Sequence, residues 1–169
     1  MIEFFVDGAC KGNPGPGGFG VISLRTPETT GVKQVEYSYR ESCDNTTNNR
    51  EEMKAILHVF KLIGDKLNSE PVIIYSDSAY CVNMVNDWIW KWANNGWKNS
   101  KKVTVENLDL VKELYKYLNI EFFPCQVVKV KGHAGKVENE LADALATNDL
   151  NKYLKILNEH NIVGCREFF

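Results

Sequence analysis

Five cysteines among 169 residues, at positions 10, 43, 81, 125 and 165, are odd in number and form no C-x-x-C pair. That pattern excludes zinc-ligand spacing and a fully paired disulfide scaffold, and it suits reduced thiols in a cytoplasmic compartment. Histidine is scarcer still, with three residues. No apolar run approaches the roughly 18 residues that a membrane span needs, so no membrane partner is expected. The start, Met1-Ile2-Glu3-Phe4-Phe5-Val6-Asp7, has neither the basic opening nor the apolar stretch of a secretory signal. G-x-S-x-G and H-E-x-x-H are absent, which removes two common hydrolase signatures. An excess of one charge is missing too: 20 basic against 22 acidic side chains leave a net charge of -2. Any polyanion must therefore be met by local patches.

What is present is enough for one ordinary core. The length fits a single domain that buries roughly 70% of its unfolded surface. A hydrophobic content of 44% with 11% aromatics excludes disorder as a description of the whole. Ile2–Val6, Phe19–Arg25 and Val32–Arg40 read as sequential antiparallel strands, the last with Val35, Tyr37 and Tyr39 on one face. The period then changes to helical through Met53, Ile56, Leu57, Phe60 and Leu67, with Thr47 or Asn48 as N-cap. Residues 71–76 read as a buried strand, followed by a helix over Ser78–Asp87. Trp88–Lys102 is a helix-and-loop region holding all four tryptophans. A helix at Leu108–Leu118, a strand at Gln126–Lys131, a glycine-rich loop and a helix from Val137 to Ala146 complete the order β-β-β-α-β-α-α-β-α. That order predicts a mixed sheet with helices on both faces. Residues 148–169 read as a helix, Leu150–His160, and a tail, either part of residues 1–147 or an appendage to them.

Four acids stand out by placement. Asp7 follows four apolar strand residues, and Asp77 follows the Val72–Tyr75 run at the carboxyl end of a buried strand, where open α/β sheets bind ligands. Glu52 lies at the predicted boundary between core and solvent on its helix, and Asp143 sits between Leu141, Ala142, Ala144 and Leu145. Each alone has an ordinary structural reading. Gathered, they repel: two carboxylates about 5 Å apart cost about 3 kcal/mol at an effective dielectric of 20. Cations relieve that cost, and hard oxygen ligands suit Mg²⁺ or Mn²⁺.

Asp7-Gly-Ala-Cys-Lys-Gly-Asn-Pro-Gly-Pro-Gly-Gly18, Thr47-Asn-Asn-Arg-Glu-Glu-Met53, Tyr75-Ser-Asp-Ser-Ala-Tyr80 and Gly132-His-Ala-Gly135 with Glu138-Asn-Glu-Leu-Ala-Asp143 resemble the ribonuclease H family, type 1. The resemblance runs in order from Ile2 to about Ala146, and it makes residues 1–147 the catalytic domain. It implies a five-stranded sheet in order 3-2-1-4-5. It also implies endonucleolytic hydrolysis of the RNA strand of RNA–DNA hybrids by two divalent ions, leaving 5′-phosphate and 3′-hydroxyl ends. The family's acids fall on Asp7, Glu52, Asp77 and Asp143, with Glu51 the competing choice beside Glu52.

The same resemblance assigns further roles. His133, on a loop flanked by Gly132 and Gly135, assists proton transfer; the ordinary reading of a lone loop histidine is a surface residue. Asn13, Asn48 and Asn49 match positions that contact the RNA 2′-hydroxyls, although turn and cap chemistry explains asparagines equally well. Thr47 and Asn107 resemble a phosphate pocket for the DNA strand, and Trp88 an aromatic of the DNA-facing channel. The other tryptophans read as core.

The departures and rivals are also specific. Asp87–Val103 carries four lysines against Asp87, a net +3, where relatives are often strongly basic. Ala79 stands where many relatives have Gln. Gly15-Pro-Gly-Gly-Phe-Gly20 satisfies G-x-G-x-x-G, but a strand follows rather than a helix, which excludes a dinucleotide loop. Alternatives are a catalytically weak hybrid-binding module, or another nuclease or strand-transfer enzyme on a similar sheet. A monomer without a preceding hybrid-binding domain is expected.

Overall fold

The computed structural model describes residues 1–65, 70–130 and 135–164. Five strands form one sheet in the order β3-β2-β1-β4-β5. These are β1 Ile2–Cys10, β2 Gly15–Arg25, β3 Gln34–Thr46, β4 Val72–Ser76 and β5 Cys125–Lys129. The first three pair antiparallel, and β4 pairs parallel with both β1 and β5. The five-stranded mixed sheet expected from the sequence is the one observed.

Alternation along β1 sorts the chain into two cores. Phe4 and Val6 join one cluster, formed with Met53, Ile56, Val59 and Phe60 of α1 (Asn48–Asp65) and with Val111 and Leu114 of α4 (Leu108–Leu118). Phe5 joins the other, with Leu141 and Leu145 of α5 (Lys136–Ala146) and Tyr153, Ile156 and Leu157 of α6 (Leu150–Glu159). Each fully buried side chain of this size contributes about 1.5–3 kcal/mol, so both faces of the sheet are fastened. Between β4 and α4 runs a helical stretch of three parts: α2 (Ala79–Asn83), a π-turn (Met84–Trp88) and α3 (Ile89–Asn94).

Three expectations about the strands are corrected. The first strand continues through Asp7 to Cys10, because β2 begins at Gly15 and pairs with it as far as Gly17 opposite Cys10. The third strand runs from Gln34 to Thr46. Val35, Tyr37 and Tyr39 do not share one face: Val35 packs with the α5/α6 cluster, and the two tyrosines pack with the α1 cluster. Leu24 faces Val35 and Ser23 faces Tyr37, so Glu36 is an extra residue. A bulge of this kind reverses the alternation.

The final helix packs against the sheet and α5 through Tyr153, Ile156 and Leu157. Besides its three buried residues, the following segment bonds to the start of β3: Val163 N–H donates to Lys33 O at 2.9 Å, and Val35 N–H to Val163 O at 2.8 Å. That contact covers part of an edge strand that would otherwise be open. Trp92 and Trp97 pack against the core as expected, but Trp90 is exposed and meets the edge of Tyr115.

Candidate active site

Register alone puts two carboxylates side by side. Phe5 of β1 lies opposite Tyr75 of β4 in a parallel pair, and two residues further along each chain stand Asp7 and Asp77. Asp7 is buried in the middle of the sheet, whereas Asp77 lies at the exposed mouth just past β4.

Two glycines let helices close on this point. A Cβ on Gly8 would stand 2.4 Å from Glu52 N, so the N-terminal turn of α1 approaches β1 only because none is there. The Gly8 N–H then donates to Glu52 Oε1 at 2.9 Å. Gly20, the antiparallel partner of Asp7, does the same for α5: a Cβ on it would stand 2.4 Å from Ala142 O. That approach delivers Asp143, the next residue along.

Among the described residues, Asp7, Glu52 and Asp77 each offer a carboxylate oxygen, and these atoms all lie within 4.8 Å of one another. Glu52 is buried rather than at the boundary expected for it, because α1 turns a wide face to the sheet. Its second oxygen, Oε2, accepts from the Ser76 hydroxyl at 3.2 Å. Ser76 Oγ in turn accepts from Ser78 N–H at 3.1 Å. The competing Glu51 is fully buried elsewhere, accepting from Thr46 Oγ1 and Lys54 Nζ, each at 2.8 Å. Asp143 lies close enough to Asp7 to add to the upward push on its carboxyl but stands outside the compact group of three. Its Oδ2 is held by Lys152 Nζ at 2.6 Å.

Crowding shows in the protonation of the group. Burial, the hydrogen bond to Glu52 and the charges of Glu52 and Asp77 push the Asp7 carboxyl up to about 10. Burial pushes Glu52 up to about 7, while its bonds from Asp7, Gly8 and Ser76 pull the other way. Both carboxyls are thus driven toward the protonated form by their burial and by each other. A crowded set of hard oxygen donors, two of them buried, whose negative charge protonation only partly relieves, fits a divalent cation in chemistry and charge.

Comparison with known proteins agrees with this geometry. The RNase H family model matches residues 1–151. The chain belongs to the ribonuclease H family. It is 40% identical over 158 residues to a Ribonuclease H of Caldanaerobacter subterraneus subsp. tengcongensis, covering 92% of this chain and 94% of that one. Among solved structures it is similar to LC9-RNase H1, a type 1 RNase H with the type 2 active-site motif. That match has 33% identity and a TM-score of 0.70, over 86% of this chain and 69% of the other. It is also similar to LC11-RNase H1 in complex with an RNA/DNA hybrid, at 25% identity and a TM-score of 0.59, covering 91% and 99% of the two chains. Ribonucleases H are metal-dependent endoribonucleases, and the acid cluster stands ready for such an ion.

Asn13 Oδ1 accepts from Asn48 N–H at 3.0 Å, so the glycine-rich turn is tied to the start of α1, where Asn49 follows. Thr47 caps that helix, its Oγ1 accepting from Arg50 N–H at 3.2 Å. Asn107 Oδ1 accepts from the Arg50 guanidinium at 3.2 Å, so Thr47 and Asn107 meet through a residue the sequence reading passed over. Asp109 grips the same guanidinium at 2.8 and 3.0 Å, and its carboxyl is held below its ordinary value by that bond. Trp88 is half-buried, edge-on to Tyr80 at 5.2 Å. His133 lies outside the described residues. Ser76 and Lys152 are additions from the structure; Ser76 had its only signal in being polar inside an apolar strand.

Proposed function

We propose that this chain hydrolyses the RNA strand of RNA–DNA hybrids endonucleolytically, with two divalent ions, by preference Mg²⁺, with Mn²⁺ as substitute. Water is added across the P–O3′ bond, leaving a 3′-hydroxyl and a 5′-phosphate. The observation that carries this reading is the set of carboxylate oxygens of Asp7, Glu52 and Asp77 within 4.8 Å of one another. Asp7, Glu52, Asp77 and Asp143 would hold the ions, which supply Lewis-acid polarisation of phosphate and water.

The chain's own groups do the rest. Asp7, buried in the middle of the sheet, would serve the ions as a carboxylate, so its raised affinity for a proton sets proton and cation in competition there. Gly8 N–H and the Ser76 hydroxyl hold both oxygens of Glu52 in place, so Glu52 is oriented before any ligand arrives. Asp77 and Asp143, more open to solvent, face the entering phosphate.

Asn13, Asn48 and Asn49 would supply the neutral groups that read the 2′-hydroxyl, which both donates and accepts. Thr47, Arg50 and Asn107 offer hydrogen bonds to a phosphate of the DNA strand, and Trp88 offers a face to its sugar and base. His133 takes part in proton transfer.

The four cysteines among the described residues that are free thiols, Cys10, Cys43, Cys81 and Cys125, support a reducing, cytoplasmic setting. No helix among the described residues is long and apolar enough to cross a membrane. Residues 148–164 pack with the catalytic body as one unit, and the chain acts as a monomer.

The test is a substrate panel of labelled hybrid, double-stranded RNA and double-stranded DNA, with Mg²⁺ or EDTA, for wild type and Asp7→Asn. The expected result is cleavage of the hybrid's RNA strand by wild type in Mg²⁺ alone. Hybrid that is bound but never cut would support the binding-module alternative instead.

A further inference from the structure

One of the four acids already carries a cation of the chain's own. Lys152 Nζ sits on Asp143 Oδ2 at 2.6 Å, and Glu140 and Asp149 add to the negative field around it. Its backbone is fixed. Asp149 caps α6, its Oδ1 accepting from Lys152 N–H at 3.0 Å, while Tyr153, the next residue, is buried in the core. Lys152 therefore stands in the first turn of α6, where the helix dipole disfavours a positive side chain. What compensates is the carboxylate it reaches. The RNase H family model matches residues 1–151, so this lysine lies one residue past that match. Both side chains keep partial access to water, at 36% and 40% exposure, so the pair can open without disturbing the core.

We propose that Lys152 is a resident competitor for the metal position at Asp143: its ammonium occupies the carboxylate when the ion is absent and must leave before Asp143 can serve as a ligand. The inference rests on the reading of Asp143 as a metal ligand. Loading of the weaker of two ion positions is then coupled to release of the α6 lysine, and the lysine keeps Asp143 neutralised between turnovers. A half-exposed pair is screened by water, so the competition is modest, amounting to about a two- to five-fold loss of affinity.

The test is calorimetric titration of Mg²⁺ into the metal-free full chain, without substrate, for wild type, Lys152→Gln, Lys152→Arg and Asp143→Asn. The expected result is that Lys152→Gln tightens the weaker binding event by about two- to five-fold, while Lys152→Arg, which keeps the charge, stays close to wild type. If Asp143→Asn loses the weaker event but Lys152→Gln leaves it unchanged or weakens it, the competitor role is overturned and the ligand role of Asp143 stands. If Asp143→Asn leaves both events intact, the assignment of Asp143 fails, and the role of Lys152 with it.

Discussion

The amide of Gly8 donates to Glu52 Oε1 at 2.9 Å because the backbone of α1 passes where a Cβ of residue 8 would be, 2.4 Å from Glu52 N. The obstructing atoms are backbone, which cannot swing aside. Gly8→Ala should therefore displace the first turn of α1, costing about 1–3 kcal/mol as overpacking does. It should also weaken Mg²⁺ binding, since Glu52 moves with the turn. Urea unfolding and a metal titration check both, and wild-type values in each would show that the close approach has no consequence.

The protonation of Asp7 and Glu52 dictates a pH dependence. Both carboxyls are raised above their unfolded values of about 4, Asp7 to about 10 and Glu52 to about 7. Between those limits the native state holds protons that the unfolded chain has released, so stability must fall as pH rises. In EDTA the melting temperature should decline from about pH 5 to about pH 10. Asp7→Asn should flatten that decline and raise the alkaline melting temperature while abolishing hybrid cleavage. Melts of the two proteins that run parallel over the range would remove the crowded-acid explanation.

The protrusion predicts weak ionic dependence. Lys91, Lys98, Lys101 and Lys102 are all exposed, but Lys91 is paired with Asp87 at 3.3 Å. Few phosphates can then be neutralised. The slope of log affinity for hybrid against log salt should be shallower than about -7, the value for eight contacts on a duplex. A steeper slope would mean that basic side chains elsewhere carry the binding.

His133, three residues before Lys136 in the chain, is expected to move protons rather than hold substrate. His133→Ala should lower kcat by about 10²-fold or less and leave hybrid affinity as it was. An unchanged kcat removes the assignment; a matching loss of affinity reassigns the residue to substrate binding.

How legible these features were in the chain depends on the range over which each is encoded. Strand order and the positions of the acids follow motifs a few residues long, and the parity of Phe4, Phe5 and Val6 is a local pattern that holds. The face switch between Val35 and Tyr37 is not local, because only pairing with β2 reveals Glu36 as the bulged residue. Gly15, Gly17 and Gly18 read as loop residues, yet they are strand, since residues without side chains can lie beneath other backbone. Gly18 lies under Ala146 O, and Gly20 under Ala142 O. The burial of Glu52 depends on the tilt of α1, which its own periodicity does not contain. The meeting of Lys152 with Asp143 spans a helix end, a turn and a new cap, and no spacing rule predicts it.

Proton release on metal loading tests the central claim most directly. Mg²⁺ is titrated into metal-free protein near neutral pH in buffers of different ionisation enthalpy. A centre in which Asp7 keeps its proton until a cation replaces it should release on the order of one proton per chain. The release should disappear in Asp7→Asn. Tight binding of Mg²⁺ with no proton released by the wild type would contradict the account.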